Sequence, residues 1–257
     1  MDTVFLALSL WGAVFAVAVA LVAGVIKGLV GFAMPMVLIA GLSTILPPDL
    51  ALAGLILPTL LSNLWQALRQ GVRAALASVA RFRVFLIAGG AVMAVSAQLV
   101  PVLPPAAMFL IIGPMVTLYA ASALSGRGLR LGRGAGGRGE AALGALAGFC
   151  GGISGVWGPP TVAMLVARGT GKHEQMRVQG MIYGLGSVLL LVSHLGSGVL
   201  RAETLPLSLA LVPSALAGMA LGFRLQDRLN QATFGRITLW VLLAAGLNLT
   251  RLGLLLL

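Results

Sequence analysis

The stretch Ala23-Gly24-Val25-Ile26-Lys27-Gly28-Leu29-Val30-Gly31-Phe32-Ala33-Met34-Pro35 has a counterpart 124 residues later, Ala147-Gly148-Phe149-Cys150-Gly151-Gly152-Ile153-Ser154-Gly155-Val156-Trp157-Gly158-Pro159. Both copies follow A-G-x3-G-x2-G-x3-P. Glycines at this density break a helix, and a proline just beyond suits the first turn of the next one, where its missing N–H costs nothing. Each copy therefore predicts a Gly-rich turn followed by a short helix. The piece before the turn is short in the second copy, whereas residues 4–27 before the first are long enough to span, so the halves are not strictly equivalent. Such irregular backbone survives at membrane depth only when buried in protein or lining a polar cavity.

Composition supplies the membrane. Of 257 residues, 59% are hydrophobic and 9% charged, and the mean hydropathy is +1.05. Soluble domains carry roughly 25% charged residues, so a soluble fold is excluded. Ten apolar stretches follow from the charges and Pro/Gly clusters, at 4–27, 31–46, 49–69, 82–101, 105–125, 140–151, 155–168, 174–195, 205–223 and 233–255. Stretch 140–151 gives only about 18 Å of helix, too little for a hydrocarbon core of about 30 Å. Stretches 155–168 and 31–46 are similarly short. The single cysteine, Cys150, excludes an intrachain disulfide and a cysteine-rich metal site. No metal site and no cofactor are expected.

The basic residues orient the chain. Counting loops from an outside N-terminus, 14 of the 17 Lys and Arg residues collect on one face, among them Arg69, Arg73, Arg81, Arg83, Arg127, Arg168, Arg177 and Arg224. By the positive-inside rule that face is cytoplasmic and both termini lie outside. The net charge of +11 reflects this asymmetry, and no basic-aromatic module for nucleic acid is present.

The expected fold is an all-α integral membrane protein of two inverted repeats of five hydrophobic segments each. Re-entrant or broken Gly-rich hairpins would meet at the repeat interface. Repeat 1 spans 1–125, a cytoplasmic Gly/Arg linker 126–139, and repeat 2 spans 140–257. An odd number of segments per half inverts the halves, as in many secondary transporters. Inversion would aim two helix N-termini at one another near the midplane, and helix N-termini attract anions.

Candidate anion contacts are the turn residues Lys27, Gly28, Gly31 and Phe32 and their counterparts Gly152, Ser154, Gly155 and Trp157. A cation near the bilayer centre costs roughly 2.5–3.5 kcal/mol on insertion scales and usually serves a function. The competing reading has Lys27 snorkelling to the interface. Polar stripes at helical spacing add Asn63 and Gln66, beside Thr59 and Ser62, and Gln179 and Tyr183, beside Gln175 and Ser187. They read as a wet path or, alternatively, as interhelical hydrogen bonds.

With Leu46-Pro47-Pro48-Asp49-Leu50-Ala51 and Asn63-Leu64-Trp65-Gln66-Ala67-Leu68-Arg69-Gln70-Gly71, the run Gly24–Pro35 resembles the TauE/SafE sulfite-exporter family, also described as a branch of the toluene-sulfonate uptake permeases. The resemblance covers nearly the whole chain. It implies a small, duplicated carrier of the bacterial inner membrane for sulfite, sulfoacetate or a related organosulfonate. Expected partners are the small anion and the lipid bilayer, with homo-oligomerisation left open.

Two other classes compete. Gly152-Ile153-Ser154-Gly155 with His194 resembles the Ser/His pair of rhomboid intramembrane proteases. The counterpart positions, however, hold Val30 and Gln70, and the expectation is that the chain is not an enzyme. A non-transporting scaffold has no positive sequence feature.

Overall fold

The computed structural model describes residues 9–96, 104–127, 137–154, 158–196 and 198–257. They form helices throughout, with no strand among the described residues. In chain order the helices are α1 (Leu10–Val30), α2 (Met34–Leu42), α3 (Pro48–Leu68), α4 (Val72–Arg81), α5 (Arg83–Ser96), α6 (Pro105–Leu124), α7 (Gly137–Ser154), α8 (Gly158–Ala167), α9 (Lys172–Gly196), α10 (Leu205–Arg228) and α11 (Gln231–Leu255). Five of the described helices, α1, α3, α9, α10 and α11, are long and apolar enough to cross a membrane, or up to six if the bent pair α4–α5 is one span. The chain is a membrane protein.

Ten of these helices answer to the ten predicted stretches, and the differences are local. Helix α4 lies where the sequence reading has only a loop between 49–69 and 82–101. Helix α7 starts at Gly137 and has 18 residues, so it takes in the end of the predicted linker. It reaches about 27 Å, well beyond the length expected of 140–151. Helices α2 and α8 are short as expected, with nine and ten residues. Neither is long enough to cross a hydrocarbon core of about 30 Å.

One pair of helix starts keeps the spacing of the two sequence copies. Helix α3 opens at Pro48 and α9 at Lys172. These starts are separated by the same 124 residues that align the two sequence copies.

The compact units nevertheless cross the halves. The first comprises Met1–Gly71 and Met176–Asn230, the second Val72–Gln175 and Gln231–Leu257. In the first unit α1 lies along α10 with backbones nearly touching. A Cβ on Gly24 would strike the Ala215 carbonyl, and one on Gly218 would strike that of Leu21. Small residues permit this approach, which replaces the hydrophobic driving force that lipid does not supply. Ala16, Ala20, Ala23, Met34, Leu38, Leu42, Leu207, Leu211 and Ala215 form the dry core between α1, α2 and α10. Pro58 sits inside α3 and removes the N–H that would serve the Gly54 carbonyl. Ser208 of α10 repairs the gap: its hydroxyl donates to Gly54 O at 3.3 Å and accepts from Leu57 N at 3.1 Å.

In the second unit α5 and α7 repeat the same close packing. A Cβ on Gly148 would strike the Gly89 carbonyl, and one on Gly144 that of Phe85. Glu140 of α7 accepts from the Phe85 backbone N–H at 3.4 Å, in the first turn of α5, and lies 3.9 Å from Arg168. A second pair, α6 and α11, is reciprocal. Gly113 lies against Thr250 and Gly246 against Thr117, and each threonine hydroxyl donates to the glycine carbonyl four residues earlier, at 2.8 and 2.9 Å.

Candidate functional site

The first turn is strained as well as glycine-rich. Gly31 caps α1 with φ +89°, and Ala33 adopts φ +75°. The left-handed conformation costs a residue with a Cβ roughly 1–2 kcal/mol, and it persists here because the surroundings fix it. Phe32 and Met34 are buried. Helix α2 then opens at Met34, with Pro35 in its first turn and no side-chain cap. Its leading N–H groups thus have neither a partner within the helix nor a side-chain cap.

The other end of the break is the carbonyl end of α1, and two glutamines close it. Gln66 of α3 donates to Gly31 O at 3.1 Å and to Met176 O at 2.7 Å. Gln179 of α9, with its amide nitrogen turned toward the break, donates to Gly31 O at 3.1 Å and Val30 O at 3.2 Å. Both side chains are fully buried. Gln179 and one of the Gln66 donors are thus spent on the Val30 and Gly31 carbonyls at the break, the use that makes a broken helix tolerable in a membrane. The other Gln66 donor ties α3 to α9 at the Met176 carbonyl. The Gln66 carbonyl oxygen has no partner among the described residues.

Lys27 lies one turn before the break and is 1% exposed. The snorkelling alternative fails, because the ammonium stays inside the first unit. Its Nζ donates to Asn63 Oδ1 at 2.6 Å and stands 5.8 Å from the centroid of the Tyr183 ring. Asn63 is held in turn by donating to the Tyr183 carbonyl at 3.0 Å. Among the described residues no carboxylate pairs with Lys27. An ammonium has three donors, so one acceptor leaves it short of both hydrogen bonds and countercharge. Such a deficit is costly in a low-dielectric interior. The position near the carbonyl end of α1 offsets it only in part.

Ser62, beside Asn63 on α3, donates to the Met34 sulfur at 3.3 Å and to Thr59 O at 3.0 Å. Adjacent residues of α3 therefore touch the lysine and the opening residue of α2. The structure brings together Lys27, Gly31, Asn63, Gln66, Gln179 and Tyr183 from both sequence halves. Gly28 faces α10, where a Cβ would strike the Met219 carbonyl, so it serves packing. Of the second turn, Gly152 and Ser154 are placed only as backbone at the end of α7. Their surroundings, and Gly155 and Trp157 altogether, lie outside the described residues. The Ser154–His194 pair consequently has no described geometry.

Sequence reasoning missed a polar knot at the same end of α3. Arg69 forms an ion pair with Asp227, reaches Gln226 Oε1 at 3.3 Å and stacks 4.1 Å over the Phe223 ring. Trp65 meets that ring edge-on at 5.4 Å. The Arg69 signal was present as a basic residue three positions after Gln66, but its partners are 157 and 158 residues away. Among the described residues no group of three or more His, Cys, Asp or Glu could hold a metal ion.

Comparison with known proteins adds one match. Residues 16–249 match the model of a family described as Sulfite exporter TauE/SafE. No curated protein and no solved structure matches the chain.

Proposed function

The chain belongs to the TauE/SafE sulfite exporter family, and from that premise we propose that it exports a small sulfur-containing anion, such as sulfite, sulfoacetate or a related organosulfonate. The observation that carries the proposal is Lys27, buried and without a carboxylate partner among the described residues. A bound oxyanion supplies both missing elements, a countercharge and acceptors for the free ammonium N–H groups. The uncapped start of α2 offers further donors and the positive end of a helix dipole. Asn63 holds the ammonium in place, and its own carbonyl is the acceptor that the anion displaces or joins. Gln66 and Gln179 keep the break open by satisfying its carbonyls.

Transport follows if the two halves are inverted repeats that rock to expose the anion alternately. On this reading Gly152, Ser154, Gly155 and Trp157, the sequence counterparts of the first turn, are further anion contacts. The arginine-rich loops face the cytoplasm of a bacterial inner membrane. A potential negative inside favours anion exit by about 2.3 kcal/mol per charge per 100 mV, so export needs no dedicated proton relay. The family is one of transporters, and the protease and scaffold readings gain no described feature.

The test is anion efflux from proteoliposomes loaded with sulfite or sulfoacetate under an imposed potential. Wild type is expected to give saturable, charge-moving efflux. Lys27→Ala and Lys27→Met are expected to abolish it while purifying as well as wild type. Full flux in either variant refutes the lysine's role; no flux from wild type with any sulfur anion refutes the substrate class.

A further inference from the structure

Helix α4 is the one element without a place in the span-and-break scheme. It lies in the second unit, between Gly71 and α5, and it meets α5 at 73°. If α5 follows the membrane normal, α4 lies close to the membrane plane. Burying α4 as the first part of a bent span would put Arg73 and Arg81 into hydrocarbon, each at roughly 2.5–3.5 kcal/mol near the centre.

Its residues are sorted for a boundary. Ala75 and Ser78 are buried against the protein, whereas Val72 and Leu76 are 60% and 62% exposed. At about 100° per residue, Val72, Leu76 and Ala80 share one exposed flank, with Arg73, Ala77 and Arg81 on the adjoining one. Arg81 is engaged by Glu174 at 2.7 Å. Arg73 and Arg83 are exposed and have no ion pair among the described residues. One helix thus presents apolar side chains with nothing over them, edged by arginines lacking countercharges.

We propose that α4 is an interfacial helix that seats acidic phospholipids. The acyl chains cover Val72, Leu76 and Ala80, and headgroup phosphates pair with Arg73 at the start of α4 and with Arg83 at the bend into α5. A basic amphipathic helix binds by apolar burial together with attraction to anionic lipid. The apolar flank favours lipid over a soluble anion, which would need the arginines alone. The leaflet is the one on the arginine-rich side, assigned above to the cytoplasm. This inference is independent of what the carrier transports.

Nitroxide labels at Leu76→Cys and Arg73→Cys, in full-length protein reconstituted in neutral or phosphatidylglycerol-containing bilayers, test it. Native Cys150 is buried, and an unmutated control subtracts any label it takes. The label at 76 is expected to be relaxed by oxygen several-fold more than by water-soluble nickel, with the opposite order at 73. Phosphatidylglycerol is expected to deepen immersion at 76, and Arg73→Gln with Arg83→Gln is expected to remove that response. Equal nickel access at 76 and 73 overturns the interfacial position. An immersion indifferent to lipid charge, or a response to added inorganic phosphate instead, overturns the lipid headgroup.

Discussion

Helices α1 and α7 are repeat counterparts that share a scaffold and differ in chemistry. Both carry a copy of the Gly-rich motif, and both lie glycine-to-backbone along a partner, α10 for α1 and α5 for α7. Where α1 carries Lys27, α7 carries Gly151. The polar neighbours are equally one-sided. Asn63 and Gln66 correspond to Ser187 and Leu190, and Gln179 and Tyr183 to Leu55 and Thr59. Leu55 belongs to the dry core of the first unit, and Leu190 packs against it. The two Gly-rich copies therefore sit on similarly glycine-packed helices, and in the sequence the cation with its supporting amides accompanies only the first.

The broadest way to break this comparison is to attack the shared frame. Gly24→Leu and Gly148→Leu would each drive a side chain into a facing carbonyl. Overpacking usually costs about 1–3 kcal/mol and more when backbone must move. Both variants are expected to lose thermal stability heavily and by similar amounts, read as melting temperature in detergent. A severe loss for one and none for the other would show that the close approach is not common to both pairs.

A narrower cut separates the chemistry from the frame. Gln66→Leu installs the residue found at its repeat counterpart, Leu190. It removes one of the two amide donors to the Gly31 carbonyl, leaving Gln179, and the bond to the Met176 carbonyl, at about 1 kcal/mol. The variant is expected to fold with a moderately lower melting temperature and impaired efflux. If stability stays at the wild-type value, Gln66 does not cap the break. In that case its unpartnered carbonyl oxygen, which faces no described donor, becomes the more informative end of the amide.

Much of this was legible in the chain. The first break came directly from its Gly-rich copy, and the short α2 and α8 from their flanking Pro and Gly. Lys27, Asn63, Gln66, Gln179 and Tyr183 were legible as polar residues at helical spacing in apolar surroundings. What they do was less so, because hydrogen bonds from Gln66 to Met176 O and from Asn63 to Tyr183 O join residues 110 and 120 positions apart. Ala33 gave no warning of its positive φ, since only context imposes it. Helix α4 escaped because Val72, Leu76 and Val79 are too few for a hydropathy signal, and Arg73 and Arg81 read as loop. Nor does hydropathy show that the compact units exchange helices between halves, which depends on which small residues meet.

The smallest expected effect concerns α3 and its counterpart α9. Pro58 interrupts α3, and the corresponding residue of α9 is Ile182, which keeps its N–H. Helix α3 therefore depends on Ser208 for a bond that α9 makes within itself. Ser208→Ala removes the donor to the Gly54 carbonyl and the acceptor for Leu57 N–H, at about 1 kcal/mol. In a Pro58→Ala background the backbone N–H restored at that position takes back the Gly54 carbonyl, and Leu57 N–H returns to its position in the helical ladder. The same serine substitution should then cost measurably less. A double-mutant cycle on melting temperature reads this coupling. Strict additivity would mean that Ser208 packs beside the proline without repairing it, and that α3 and α9 differ less than their sequences suggest.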